Sequence, residues 1–202
     1  MKLHSYVVAR DFGFAPNPFY GMCTLATCKP NIRRVADVGD WVIGTGSSKN
    51  GKRGNLIYAM KVTEMITFND YWESARFERK KPNMRGSKKL AFGDNIYYQD
   101  SKDIWHQADS HHSHEDGTPN INNIRNDTKA NRVLISIDFT YWGGSGPLIP
   151  IEFRNYDGYD ICAVRNHKSN FPTNLVTDFI AWFRSLALSG YLASPLDWSR
   201  TA

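Results

Sequence analysis

Residues 39–62, "GDWVIGTGSSKNGKRGNLIYAMKV", decide how this chain is read. Gly46 to Lys52 spell G-x-x-x-x-G-K, the phosphate-cradling loop of nucleotide triphosphatases. That motif needs a Ser or Thr hydroxyl next, to hold magnesium, and here Arg53 stands in its place. It also needs a helix whose first amides face the phosphates, whereas "NLIYAMKV" has the Ile, Tyr and Val content of a strand. Two apolar runs joined by Gly, Ser, Asn and Lys therefore predict a hairpin with a long basic tip.

Upstream, "KPNIRRVADVGDWVIG" opens a short helix at Pro30 or Asn31, stops it at Gly39, and enters a strand over Trp41 to Thr45. "LHSYVVAR" is a first strand from about Leu3 to Arg10. Between them, Pro16 and Pro18 deny regular structure to "DFGFAPNPFYG", and "CTLATC" fits strand or helix. Downstream, "NLIYAMKVTEMI" reads as one longer strand, and Thr67 and Asp70 hold capping-box spacing at the start of a helix that ends before Pro82. Residues from about 83 to 132 are polar and rich in Gly, Asn and His, which predicts a long, partly irregular insertion. Val133 to Phe139 restores a strand. A final helix over about 174–189 puts Leu175, Phe179, Phe183 and Leu186 on one face. This order predicts a single α+β domain over 1–202, with a largely antiparallel sheet and flanking helices.

With 25 Lys and Arg against 20 Asp and Glu, the formal charge is +5, compatible with a polyanionic partner without requiring one. No window is apolar for long enough to cross a bilayer, and "MKLHSYVVARD" meets charge too early for a signal peptide, so a cytoplasmic location and no membrane partner are expected. Cys23, Cys28 and Cys162 are too few for a disulfide scaffold. Cys23 and Cys28 lack the second pair of a zinc knuckle, so they read as buried thiols.

The strand, short helix and "GDWVIGTGS" leading to "NLIYAMKV" resemble the small pseudobarrel shared by PUA, ASCH and EVE domains. There a cleft beside the strand receives a nucleotide or modified base. More specifically, "RDFGFAPNPF", "CTLATCKPNIR", "GDWVIGTGS", "DYWESARF", "DSHHS" and "FTYWGGSGP" resemble the bacterial and phage family called nucleotide modification associated domain 2. The resemblance implies a PUA-like pseudobarrel and a role in DNA base modification. It carries over no catalytic residue.

Several residues are candidates for a site. Asp11, leaving the first strand beside Arg10, can accept from a base's amino edge, and Asn17 can pair with a Watson–Crick edge; an Asx-turn or an ion pair with Arg10 explains Asp11 equally well. Trp142, among glycines, either stacks on a base or caps the core. With Trp41 and Thr45, these residues would line the cleft. Lys29, Arg33, Ser47, Lys49, Lys52, Arg76, His167 and Lys168 would face phosphate if the fold gathered them. "WHQADSHHSHED" is dense in ligand types, but its irregular setting favours a polar loop over a metal site, and no cofactor is expected. His111 or His112 could serve as a general base near neutral pH. The leading expectation is thus a nucleotide or nucleic-acid binding domain recognising a modified base in a DNA-modification or phage-defence setting. An enzyme using Asp11, His111 or His112, and a module docking a protein partner from such a system, are the alternatives.

Overall fold

The computed structural model describes residues 1–199. In chain order the strands and α-helices are β1 (Leu3–Val8), β2 (Cys23–Leu25), α1 (Pro30–Val35), β3 (Trp41–Gly46), β4 (Leu56–Lys61), β5 (Glu64–Ile66), α2 (Phe68–Glu73) and α3 (Lys88–Ala91). They continue with β6 (Tyr97–Gln99), β7 (Trp105–Gln107), α4 (Ile121–Asp127), β8 (Val133–Ser136), β9 (Asp138–Tyr141), β10 (His167–Lys168), α5 (Thr173–Ser185) and β11 (Gly190–Tyr191). The described residues form two compact units: unit 1 takes residues 1–11, 36–63 and 137–199, and unit 2 takes 12–35 and 64–136. This is a mixed α+β protein with mostly antiparallel pairing, and its sheets are open rather than closed into a barrel.

Unit 1 is built on a six-stranded sheet in the order β10-β1-β3-β4-β9-β11. The predicted hairpin is present as antiparallel β3 and β4, while β1 runs parallel to β3 with Leu3 opposite Trp41. Gly44 lies under the Tyr58 ring, where a Cβ would come within 2.5 Å of Cε1. Helix α5 buries Leu175, Val176, Phe179 and Phe183 with Trp41, Ile43 and Trp142, as its apolar stripe predicts. It ends at Ser185, before the expected boundary. Replacing the fully buried Phe179 by Ala would cost about 3–5 kcal/mol.

Unit 2 holds a three-stranded sheet, β2-β8-β5, and the small β6-β7 pair. Its core joins Phe14, Phe68, Tyr71, Phe77, Tyr97 and Ile124. The capping box at Thr67 and Asp70 forms, with the Asp70 amide donating to Thr67 Oγ1 at 3.1 Å. The expected long helix nevertheless stops at Glu73, because Ser74 is extended, and resumes as a 3-10 turn over Ala75–Lys80. Residues 83–132 are more ordered than their composition predicts, for they contribute α3, β6, β7 and α4.

Two expected strands are each divided. The run over 55–66 becomes β4 and β5 in different sheets, and Val133 to Phe139 becomes parts of β8 and β9. The breaks meet: the Ile137 amide donates to Thr63 Oγ1 at 3.2 Å in place of a ladder partner. Alternation of apolar residues persists through such a break, which is why sequence pattern does not reveal it.

Candidate functional site

In unit 2 the chain turns sharply from β2 into α1. Within that turn, Cys28 (φ 55°) and Lys29 (φ 44°) both occupy the left-handed region. Each non-glycine residue there costs about 1–2 kcal/mol, so the neighbouring contacts must hold the turn in place. The Cys28 amide donates to Asp127 Oδ1 at 2.9 Å, and its carbonyl accepts from Arg33 Nε at 2.9 Å. The buried Arg33 guanidinium also donates to the carbonyls of Asp127, Ala130 and Arg132, tying the turn to the end of α4. Burial pushes Arg33 down to about 10 even with Asp127 and Cys28 nearby. A strained strand-to-helix turn is the same local device that exposes the nucleophile in α/β-hydrolases.

His112 reaches this turn from the segment after β7. Its carbonyl accepts from Gln107 Nε2 at 3.2 Å and Asn123 Nδ2 at 2.8 Å, and the Phe14 ring meets its imidazole edge-on at 4.6 Å. These contacts fix the ring, against the expectation that an irregular histidine segment lacks the rigidity for a site. Asp127, the last residue of α4, is buried; its Oδ2 accepts from Tyr97 Oη at 2.9 Å and lies 3.0 Å from His112 Nδ1. An ionised carboxylate only accepts, so Nδ1 carries the hydrogen and Nε2 is turned toward Cys28 Sγ, 3.6 Å away.

Cys28, His112 and Asp127 thus form a continuous thiol–imidazole–carboxylate chain. Burial lowers the imidazole pKa, but the Asp127 hydrogen bond and the Cys28 sulfur outweigh it and hold His112 up at about 9. An imidazole this basic carries both protons at neutral pH, so its Nε2 donates toward Cys28 Sγ, and a cation beside a cysteine favours the thiolate that attacks. Lys29, half-buried beside the sulfur, is lowered by desolvation and partly restored by Cys28. By contrast, Cys23 and Cys162 are buried in their units, with burial pushing both thiols up, Cys162 to about 12.

One ligand atom from each of these three residues lies within 4.8 Å of the others, close enough to share a metal ion. Both Asp127 oxygens, however, already accept: Oδ1 from the Cys28 amide, Oδ2 from Tyr97 and His112. That leaves Sγ and Nε2, fewer than the three protein ligands of a catalytic zinc. The geometry suits proton transfer to and from sulfur better than a metal.

The structure gathers Lys29, Arg33 and His112 around Cys28 and places the other candidates elsewhere. Arg33 bonds backbone carbonyls, so its charge does not face phosphate. His111 packs among Phe12, Phe14 and Phe92. Asn17 has its amide committed, donating to the Phe92 carbonyl and accepting from Lys80 Nζ. Arg76 pairs with Glu64 at the surface. In unit 1, Asp11 is buried and accepts from Tyr141 Oη at 2.6 Å and the Leu196 amide at 3.0 Å, a structural pin rather than an open acceptor. Trp41 and Trp142 are core residues packed on Phe183, and Thr45 donates to the Tyr6 carbonyl, so none of the three lines an open cleft. Arg10 is exposed; His167 and Lys168 form edge strand β10. Ser47, Lys49 and Lys52 lie at the hairpin tip.

Sequence reasoning passed over Cys28, Asp127 and Tyr97. The thiol is 84 residues from His112, and the carboxylate a further 15, so no local spacing links them. The signal that was available is "TCKP", a cysteine on the step from strand to helix.

Among the described residues, no helix is long and apolar enough to cross a membrane. Neither the curated proteins nor the solved structures contain a match to this chain. The profile of the family described as "Nucleotide modification associated domain 2" matches residues 1–202, and the chain belongs to that family.

Proposed function

We propose that unit 2 is a thiol-dependent catalytic site acting on an amide-type group of a nucleotide or nucleobase. The single observation that carries this reading is the Cys28 Sγ–His112 Nε2 contact of 3.6 Å, backed by His112 Nδ1–Asp127 Oδ2 at 3.0 Å. The family's association with nucleotide modification supports the substrate class. In the first step the sulfur of the Cys28–His112 pair, its proton already on Nε2, bonds the carbonyl carbon, and the π pair moves to oxygen. On collapse the C–N bond breaks, and the leaving amine takes the proton from Nε2. Water, giving a proton to Nε2, then attacks the thioester; the C–S bond breaks, the bonding pair stays on sulfur, and the sulfur–imidazolium pair is restored with that proton on Nε2. Asp127 holds the tautomer and stabilises the imidazolium throughout. The Cys28 amide is occupied by Asp127, so donors for the developing oxyanion come from other groups.

Acid-quenched intact-mass spectrometry on acylated and amide-bearing nucleotides tests this. An adduct on Cys28 that accumulates in the wild type and is absent from Cys28→Ser is expected. A panel that turns over equally with Cys28→Ser would remove the sulfur from the mechanism.

A second reading, a PUA-like binder that recognises a modified base, is favoured by the exposed cations Lys49 and Arg53 at the hairpin tip. It predicts base-selective binding, weakened by salt, with no turnover of any nucleotide.

A further inference from the structure

The hairpin tip that resembles a phosphate loop in sequence is not one in fold, yet it borders a cavity. In unit 1 about 180 Å³ is lined by Ser47, Ser48, Arg53, Arg154, Asp160 and Val164 together with neighbouring small residues. The tip is a formed turn: the Lys52 amide donates to the Ser47 carbonyl at 3.0 Å, and Gly51, at φ 71°, donates to Ser48. Gly46 is required for this closure, since a Cβ there would lie 2.1 Å from the Lys52 carbonyl oxygen.

Three observations give the cavity a ligand chemistry. Arg154 donates through Nε and Nη2 to Asp160 at 2.8 and 3.1 Å, which fixes the guanidinium plane and leaves Nη1 over Gly54. Arg53 is exposed, with no acidic partner among the described residues. Ser47 is 8% exposed, and its Oγ is buried without a hydrogen-bond partner. A buried hydroxyl without a partner costs about 1–3 kcal/mol, and Ser47 is one of the residues that line the cavity. Arg53 and Arg154 against Asp160 leave one net positive charge on the lining. Arginine forks and hydroxyls at a small concave site match the tetrahedral oxygens of phosphate.

We propose that this cavity binds the phosphate of a nucleotide. The inference goes beyond the catalytic reading and does not rest on it. The test is calorimetric titration of the full chain with a deoxynucleoside monophosphate and with a short single-stranded oligonucleotide. The variants are Arg53→Ala, Ser47→Ala and, as a control of equal charge change, Arg125→Ala. Arg53→Ala should weaken binding about tenfold or more and Ser47→Ala about threefold with unchanged melting temperature, as expected for charge-assisted and neutral hydrogen bonds. Arg125→Ala should leave affinity unchanged. Comparable affinity for both ligands identifies a free nucleotide as the source. Tighter oligonucleotide binding that still depends on Arg53 identifies a nucleic-acid backbone. No binding of either ligand, or equal losses with Arg53→Ala and Arg125→Ala, overturns the proposal.

Discussion

Unit 2 contains two buried polar networks of similar make-up, and they end differently. In the first, Lys80 Nζ donates to the Asn17 carbonyl, Asn17 Oδ1, the Met22 carbonyl and Thr24 Oγ1, while Asp94 accepts from Thr24 and Tyr71 at 2.7 Å each. Lys80, the most exposed of the five side chains that form it, is only 2% accessible. In the second, Asp127 is equally buried, but the chain runs outward through His112, with 17% of its side chain accessible, to a half-buried thiol. A network whose every donor meets an acceptor inside the protein can only hold structure. One that ends at a half-buried cysteine, on a strained turn, has a group left over for chemistry.

Cutting the closed network should have the largest effect. Lys80→Ala leaves Asp94 buried without its cation and should destabilise the protein by about 3–5 kcal/mol in urea unfolding. Cys28→Ser should change stability by less than about 1 kcal/mol, since the amide and carbonyl contacts of residue 28 survive, yet abolish turnover. If the two variants lost stability equally, the distinction between the networks would disappear.

Next, His112→Ala should cut turnover about 100-fold or more, the usual scale for a positioned acid–base group. Asp127→Asn removes the carboxylate that raises the imidazole, so the His112 titration followed by NMR should fall from about 9 toward the ordinary 6.5. An unmoved titration would show that Asp127 does not set the basicity of the ring.

The smallest effect is a pair of opposite pH slopes. His112 has a raised folded pKa, so its stabilisation is complete below about pH 6.5 and is lost as pH rises through about 9. Burial pushes Lys80 down to about 8, against the pull of Asp94, so its contribution runs the other way: stability is gained between about pH 8 and 10.5. Subtracting the urea-unfolding profile of His112→Ala from that of the wild type isolates the first slope; a flat difference between pH 6.5 and 9 would contradict it.

Local signals in the sequence survive in the fold where one segment suffices to write them. The β3–β4 hairpin, the Thr67 and Asp70 capping box and the α5 stripe each depend on residues a few positions apart, and each forms. Continuous apolar alternation hid the breaks at Thr63 and Ile137, because a strand that changes sheets keeps its period. The candidate site was half legible. His112 stands out by type, but its partners are a cysteine that composition assigns to the core and an aspartate at the end of a short helix, joined only by the tertiary fold. Aromatic residues beside glycine have an explanation within the fold: Trp142 is buried in the core and abuts glycines where the backbone passes close, with the Gly146 Cβ position only 1.6 Å from the Leu56 carbonyl oxygen.

The central claim is that Cys28 is an activated nucleophile, and the most direct test is the rate of its alkylation by iodoacetamide, followed site by site with mass spectrometry from pH 5.5 to 9. The account predicts that below pH 7 Cys28 reacts at least about tenfold faster than N-acetylcysteine, that Cys23 and Cys162 stay unlabelled, and that His112→Ala returns Cys28 to the rate of the free thiol. Equal rates and equal pH profiles for wild type and His112→Ala would contradict it, and would leave Cys28, His112 and Asp127 as a structural contact.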